Sequence, residues 1–262
     1  MRPEFGQAVL HVGAACCLCV ATVSAGVFDA VFTEVGYEHY AEAPVAGLPS
    51  FLAMPFNSLV NVGYLLLGWH WLRKNPEAPG NGEEGPRVRY LKDVFATMAL
   101  AYGPIQWVRI WTQTRRSAIL DQWFTLPIFA WSIAWCRFVE EGWKPQTFFL
   151  IECISLSSYC LALLHRRGFE LALGCHILLA VWHAWRANRR HGNACSASSM
   201  ALAVLSCLGF VVLKLGDRWL AQWLLFRQMT GHFWSKVCDV LQFHFAFLFL
   251  TNLNNFPQRK KL

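Results

Sequence analysis

The chain has 262 residues, 55% hydrophobic and 15% charged, with thirteen Trp, twenty Phe and a formal charge of +7. Its apolar residues gather into blocks about as long as a bilayer is thick, which excludes a soluble globular domain, a fibrous repeat and a disordered chain. The 23 Lys and Arg sit in short stretches between these blocks instead of along one face, so the basic excess reflects membrane topology and no nucleic-acid partner is expected.

Eight blocks are predicted, at 7–32, 50–72, 91–110, 119–138, 146–165, 169–186, 199–217 and 232–251. Each must be a helix, because in lipid every backbone N–H and C=O has to be paired within its own segment. The expected fold is therefore all-α, a polytopic membrane helix bundle of eight spans forming one domain over residues 1–262.

The first block follows Arg2 and passes through Val23-Ser24-Ala25, a pattern similar to a signal peptide. Its apolar stretch from Ala8 to Phe32 is longer than a usual signal core, so a retained helix is expected; cleavage, leaving seven spans, is the alternative. Residues 33–49 contain no Lys or Arg but hold Glu34, Glu38 and Glu42, as suits a non-cytosolic loop. In the second block Asn57 and Asn61 stand at i and i+4, with Tyr64 on the same face and Ser58 beside it. Amides so spaced usually hydrogen-bond to a neighbouring helix. The stretch 73–90, with Asn75-Pro76 and Gly80-Asn81-Gly82, reads as a cytosolic turn region.

The third block ends with Gln106 and Arg109, and the fourth opens with Asp121-Gln122. On the sixth, His176 and His183 share a face without a carboxylate and read as packing residues. The eighth is the most polar: His232, Lys236 and Asp239 fall at i, i+4 and i+7 on one face, with Ser235 nearby. An ionisable group in a span costs on the order of 2.5–3.5 kcal/mol by insertion scales, so that face must meet protein or a polar cavity. Either Lys236 and Asp239 form an ion pair that holds the bundle, or the three line a cavity for a ligand, a proton or a metal. His244 points away from His232 and reads as packing. Nine of the ten Cys lie in or beside apolar blocks, Cys195 being the exception, and act as small hydrophobes.

With the N-terminus cytosolic, fourteen of the 23 Lys and Arg fall on the cytosolic side and eight on the other, Lys236 lying within a span. Basic residues resist translocation, so both termini are expected in the cytosol. That orientation puts Asn57, Asn61, Gln106, Arg109, Asp121, His232 and Lys236 in the outer half of the bundle. Asn57, Asn61, Gln106, Asp121, His232, Lys236 and Asp239 are accordingly the candidate ligand-binding residues. No catalytic residue is assigned, since the sequence has no Gly-rich phosphate loop, G-x-S-x-G elbow or H-E-x-x-H.

Several stretches closely resemble the transmembrane protein 187 family: Gly36-Tyr37-Glu38-His39-Tyr40-Ala41-Glu42, Met54-Pro55-Phe56-Asn57-Ser58-Leu59-Val60-Asn61, Tyr90-Leu91-Lys92-Asp93-Val94-Phe95, Leu120-Asp121-Gln122-Trp123 and Gly231-His232-Phe233-Trp234-Ser235-Lys236. That resemblance implies a multi-pass membrane protein and no particular reaction. Phe56-Asn57-Ser58-Leu59-Val60-Asn61, Asp121-Gln122 and Gly231-His232 more distantly resemble landmarks of the alkaline ceramidase and progestin/adipoQ receptor superfamily. The superfamily resemblance implies a seven-helix core, here behind an extra N-terminal helix, that holds zinc with three His near a Ser and an Asp. This chain departs from it where the last helix carries Lys236 in place of a second His, and where no His precedes Asp121 on the third block. His232 and Asp121 alone fall short of the three protein ligands a catalytic zinc takes, so no metal or other cofactor is expected.

The leading expectation is a non-catalytic lipid or small-ligand binder with a degenerate ceramidase-like site and membrane lipid as its partner. Three alternatives stay open: an ion- or proton-coupled transporter, a divergent metal-dependent lipid hydrolase, and a purely structural membrane partner. The sequence offers no N-x-[ST] acceptor, and Arg259-Lys260-Lys261-Leu262 loosely resembles a dibasic retrieval tail, so endomembranes and the plasma membrane both fit.

Overall fold

A computed structural model describes residues 2–36, 40, 42–74 and 84–254. The Gly80-Asn81-Gly82 turn, Tyr37, Glu38, His39, Ala41 and the basic tail Arg259–Leu262 lie outside the described residues. Within them the chain is all-helical: α1 Pro3–Ser24, α2 Pro55–Leu59, α3 Val62–Arg73, α4 Glu84–Thr112, α5 Arg115–Glu141, α6 Pro145–Ser158, α7 Leu161–Leu164, α8 Gly168–His191, α9 Ala194–Leu215, α10 Asp217–Leu220 and α11 Gly231–Asn254. Short 3-10 turns occupy Ser50–Leu52 and Leu224–Phe226.

Among the described residues, five segments are long and apolar enough to cross a membrane: Pro3–Ser24, Pro145–Leu164, Gly168–His191, Ala194–Leu215 and Gly231–Leu253. The α4 and α5 helices are longer, at 29 and 27 residues, but more polar. They are polar because they lie at the centre. The α5 helix packs on α1, α4, α6, α8 and α11, and its Asp121 and Glu140 carboxylates face protein. The block expected at 50–72 is divided, a break at Val60 and Asn61 separating α2 from α3. The block expected at 146–165 is divided as well, at Tyr159 and Cys160 between α6 and α7.

Local chemistry sets several boundaries. Pro stands in the first turn of α1, α2 and α6, where its missing N–H has no helical partner to lose. Thr114 caps α5 by accepting from Ser117 N, and Asn193 and Ser196 form a reciprocal box at the start of α9. The α3 and α4 helices approach closely because Gly68 has no side chain; a Cβ there would lie 2.7 Å from the Ala96 carbonyl oxygen. The core between them is aromatic. Trp71 stacks on Phe247 with ring centroids 4.6 Å apart, and Phe95 lies 4.5 Å from Phe247.

Contacts at the two ends show which loops lie together. At one end Arg115 donates to the Asp29 carbonyl, Arg166 lies over Phe32, and Arg109 reaches the Glu34 carbonyl. At the other Arg2 donates to the Leu72 carbonyl, Glu4 pairs with Arg89 at 2.9 Å, and Arg186 pairs with Glu140 at 2.9 Å. Lys92 belongs to the interior and not to a loop. Lys92 and Asp93 are fully buried, the ammonium 2.7 Å from the neighbouring carboxylate and donating to the Trp71 carbonyl. An extended early turn of α4 places a residue counted among the cytosolic charges inside the helix bundle.

Candidate functional site

The end of the bundle that holds Asp29 and Glu34 also gathers the polar residues. Asn57, Asn61, Gln106, Arg109, Asp121, His232, Lys236 and Asp239 come from α2 and the break after it, α4, α5 and α11, and none is more than 7% exposed. Helical spacing puts His232, Ser235, Lys236 and Asp239 on the α11 face turned toward the protein.

The α2 helix is positioned by Glu42. Its carboxylate accepts from Phe56 N and Asn57 N, each at 2.9 Å, and from Asn57 Nδ2 at 2.7 Å. A carboxylate on the free N–H groups of a first turn is the favourable charge for that site. Burial nevertheless dominates, and raises the Glu42 pKa above its ordinary 4.5. Asn61 Nδ2 donates to the Asn57 carbonyl at 3.1 Å, which braces the break between α2 and α3. Trp107 of α4 closes the same region by donating to the Ser58 carbonyl at 2.6 Å.

Charge is arranged around α4, α5 and α11. Arg109 pairs with Asp121 at 2.5 Å. Asp239 accepts from the Tyr64 hydroxyl, also at 2.5 Å. Lys236 and Asp239 do not pair with one another, because Tyr64 of α3 holds the carboxylate while the Lys236 ammonium lies 5.7 Å from the Tyr102 ring centre. Tyr102 packs edge-on against Tyr64 at 5.0 Å, and its hydroxyl meets Thr125 at 3.2 Å. The His232 ring sits edge-on to Tyr40 at 4.7 Å, and its backbone N–H donates to Asp217 at 2.7 Å. Lys214, in the last turn of α9, stands within electrostatic range of Asp121, Arg109, Asp239 and Lys236.

Several buried atoms here lack a hydrogen-bond partner: Asn57 Oδ1, Asn61 Oδ1, Gln106 Nε2 and Asp121 Oδ1. All seven residues picked from the sequence thus lie in one end of the bundle, in or beside a common network. Glu42, Tyr40, Tyr102 and Lys214 belong to that network too. From the sequence, Glu42 belongs to the non-cytosolic loop and Lys214 counts only among the basic residues of that side; Pro55, marking a helix start just after an acidic loop, is the available signal for Glu42.

His176 and His244 serve packing between helices. His176 of α8 meets Ser155 of α6 at 3.0 Å, and the His244 ring lies 6.0 Å from Trp71. His11, which no sequence pattern singles out, bonds Tyr90 and Glu152 through its ring at 2.6 Å each and joins α1, α4 and α6.

A profile of the TMEM187 protein family matches residues 8–251. The chain is 65% identical over 254 residues to transmembrane protein 187 of Bos taurus, covering 97% of this chain and 99% of that protein. It is 62% identical over 258 residues to transmembrane protein 187 of Homo sapiens, covering 98% of this chain and 97% of that protein. No solved structure matches the chain.

Proposed function

Because this chain belongs to the transmembrane protein 187 family, a multi-pass membrane protein is the premise, and we propose that it is a non-catalytic binder of a lipid or another small polar ligand. The observation that carries this reading is the set of unpartnered buried atoms on Asn57, Asn61, Gln106 and Asp121, drawn from α2 and the break after it, α4 and α5 to one end. Each buried polar atom left without a partner costs about 1–3 kcal/mol, a cost that a ligand with matching donors and acceptors removes.

The reading includes eight crossings with both termini cytosolic. Supporting it, each expected block contains a helix, and the end contacts alternate as eight antiparallel passes require. The broken segment 55–73 spans about 28 Å at helical rise, enough for the hydrocarbon core.

A degenerate ceramidase-like core fits poorly with zinc. Asp121, the carboxylate such a site would use, is paired with Arg109, and the Lys214 and Lys236 ammonium groups stand close enough to repel a dication. Purified protein is expected to hold no stoichiometric zinc. Stoichiometric zinc, together with lipid amide hydrolysis lost in His232→Ala, would overturn that part.

Lipid mass spectrometry of the delipidated and the native protein tests the binding itself. A specific co-purifying ligand is expected, and it should be lost from Asn61→Leu/Gln106→Leu while the fold persists. If no ligand is ever retained and the double variant simply melts at higher temperature, the polar network is structural.

A further inference from the structure

The α8 and α9 helices are consecutive, yet each packs chiefly on a different partner, α8 on α5 and α9 on α11. They are tied together at the turn between them. Ser196 Oγ donates to Asn188 Oδ1 at 2.6 Å, and Gly192 N donates to the Asn188 carbonyl at 2.8 Å. Past that tie they part around an apolar groove of about 330 Å³, lined by Leu178, Val181, Trp182 and Trp185 of α8 and by Met200 and Val204 of α9. We propose that this groove holds one acyl chain of a phospholipid with a net negative headgroup, and that Arg189 at its mouth binds the lipid phosphate. The site is separate from the polar network, for it lies toward the end where Arg186 pairs with Glu140.

Size selects the occupant. From Leu178 to Trp185 the groove runs about 10 Å at helical rise, which gives it a cross-section of about 30 Å². That is room for one hydrocarbon chain, whereas a helix is about 10–12 Å across with its side chains. Leu178, Trp182 and Trp185 are exposed and bulky, unlike the small residues that let two membrane helices approach. Charge selects the headgroup. Arg186 and Arg190 both reach the same Glu140 oxygen, at 2.9 and 3.4 Å, so one carboxylate serves two guanidinium groups. Arg189 has no carboxylate partner among the described residues. Its guanidinium lies 5.4 Å from the centre of the Trp185 ring, and that ring is 5.3 Å from Trp182. Cations in the last turn of α8 also suit the helix dipole, but the dipole does not dictate which way a side chain turns. Stacking on Trp185 puts Arg189 on the groove side. A guanidinium grips a phosphate through two parallel hydrogen bonds, and Trp beside it suits the headgroup level. With both termini cytosolic, this end meets the leaflet that carries the anionic lipids.

Full-length protein, delipidated in a maltoside detergent, would be titrated with phosphatidylserine and with phosphatidylcholine, counting bound lipids by native mass spectrometry. One phosphatidylserine is expected to bind more tightly than phosphatidylcholine and to raise the melting temperature. Arg189→Gln should weaken phosphatidylserine binding about tenfold, as loss of a charge-assisted contact does, and Arg189→Lys should weaken it less. Val204→Trp, which fills the groove with a ring, should remove binding of both lipids, and Val204→Ala should keep it. Asn61→Leu/Gln106→Leu, at the other end of the bundle, should leave this binding unchanged. Arg189 is exposed, so Arg189→Gln keeps the fold and decides the matter even where Val204→Trp does not fold. The proposal fails if the two lipids bind alike, if Arg189→Gln binds phosphatidylserine as tightly as the parent, if a folded Val204→Trp still binds it, or if binding is lost instead from Asn61→Leu/Gln106→Leu. A dimer that forms without lipid and is broken by Val204→Trp would assign the groove to a second copy of the chain and overturn it as well.

Discussion

Arg109 and Asp121 show how a single side chain depends on its partner. Both are nearly excluded from solvent, so each would be an uncompensated charge without the other. Arg109→Met is expected to destabilise the protein by about 3–5 kcal/mol, whereas Arg109→Met/Asp121→Leu should recover most of that loss; thermal unfolding in detergent reads the difference. Glu42 gives the pH dependence. Its folded pKa lies above the ordinary 4.5, so the fold holds the proton more tightly than the unfolded chain does. Its contribution is therefore fully present below pH 4.5 and declines as the pH rises through the folded pKa. Protection of the Phe56 and Asn57 amides from hydrogen exchange should fall between mildly acidic and neutral pH, and Glu42→Gln should flatten that profile. The type and grouping of the polar residues were legible in the sequence. Their partners were not: Lys236 and Asp239 lie one turn apart and suggest a pair, yet Tyr64, 175 positions from Asp239 along the chain, takes the carboxylate.

The α1 helix illustrates what holds an element in place. Beyond apolar contact with α4 and α5, His11 bridges Tyr90 and Glu152, and Glu4 pairs with Arg89. Glu152 lies in α6, among residues that otherwise face apolar surroundings. His11→Leu should cost about 1–3 kcal/mol by leaving that carboxylate without its partner, and the cost should shrink when Glu152→Leu is added. A double-mutant cycle is expected to give a coupling of about 0.5–3 kcal/mol; independence of the two changes would show that the bridge contributes nothing. Helices surrounded by lipid on one side, such as α8 and α9, were plain in the sequence because their apolar content is high. The boundaries of α4 and α5 were harder to see. Their ends carry charges that look like loop residues, as Lys92 and Asp93 do, until other helices are packed around them.

Across the molecule, the alternation of end contacts makes the topology testable. A glycosylation acceptor inserted at 43–48 is expected to be modified, one inserted at 75–83 is not, and an N-terminal epitope tag should remain on the mature protein. Modification at 75–83 would reverse the orientation, and loss of the tag would show that α1 is removed. The sequence by itself determined that this is a helical membrane protein, because apolar length and backbone hydrogen-bonding demand are properties of each segment taken alone. It also marked the polar end of the bundle, since the cost of charge in a span falls on individual residues. Only the tertiary structure decided that α4 and α5 form the centre, that Glu42 holds the first turn of α2, and that Tyr64 takes the Asp239 carboxylate. These depend on contacts between segments far apart in the chain, where a side chain's environment is set by its neighbours in space and not by its neighbours in sequence.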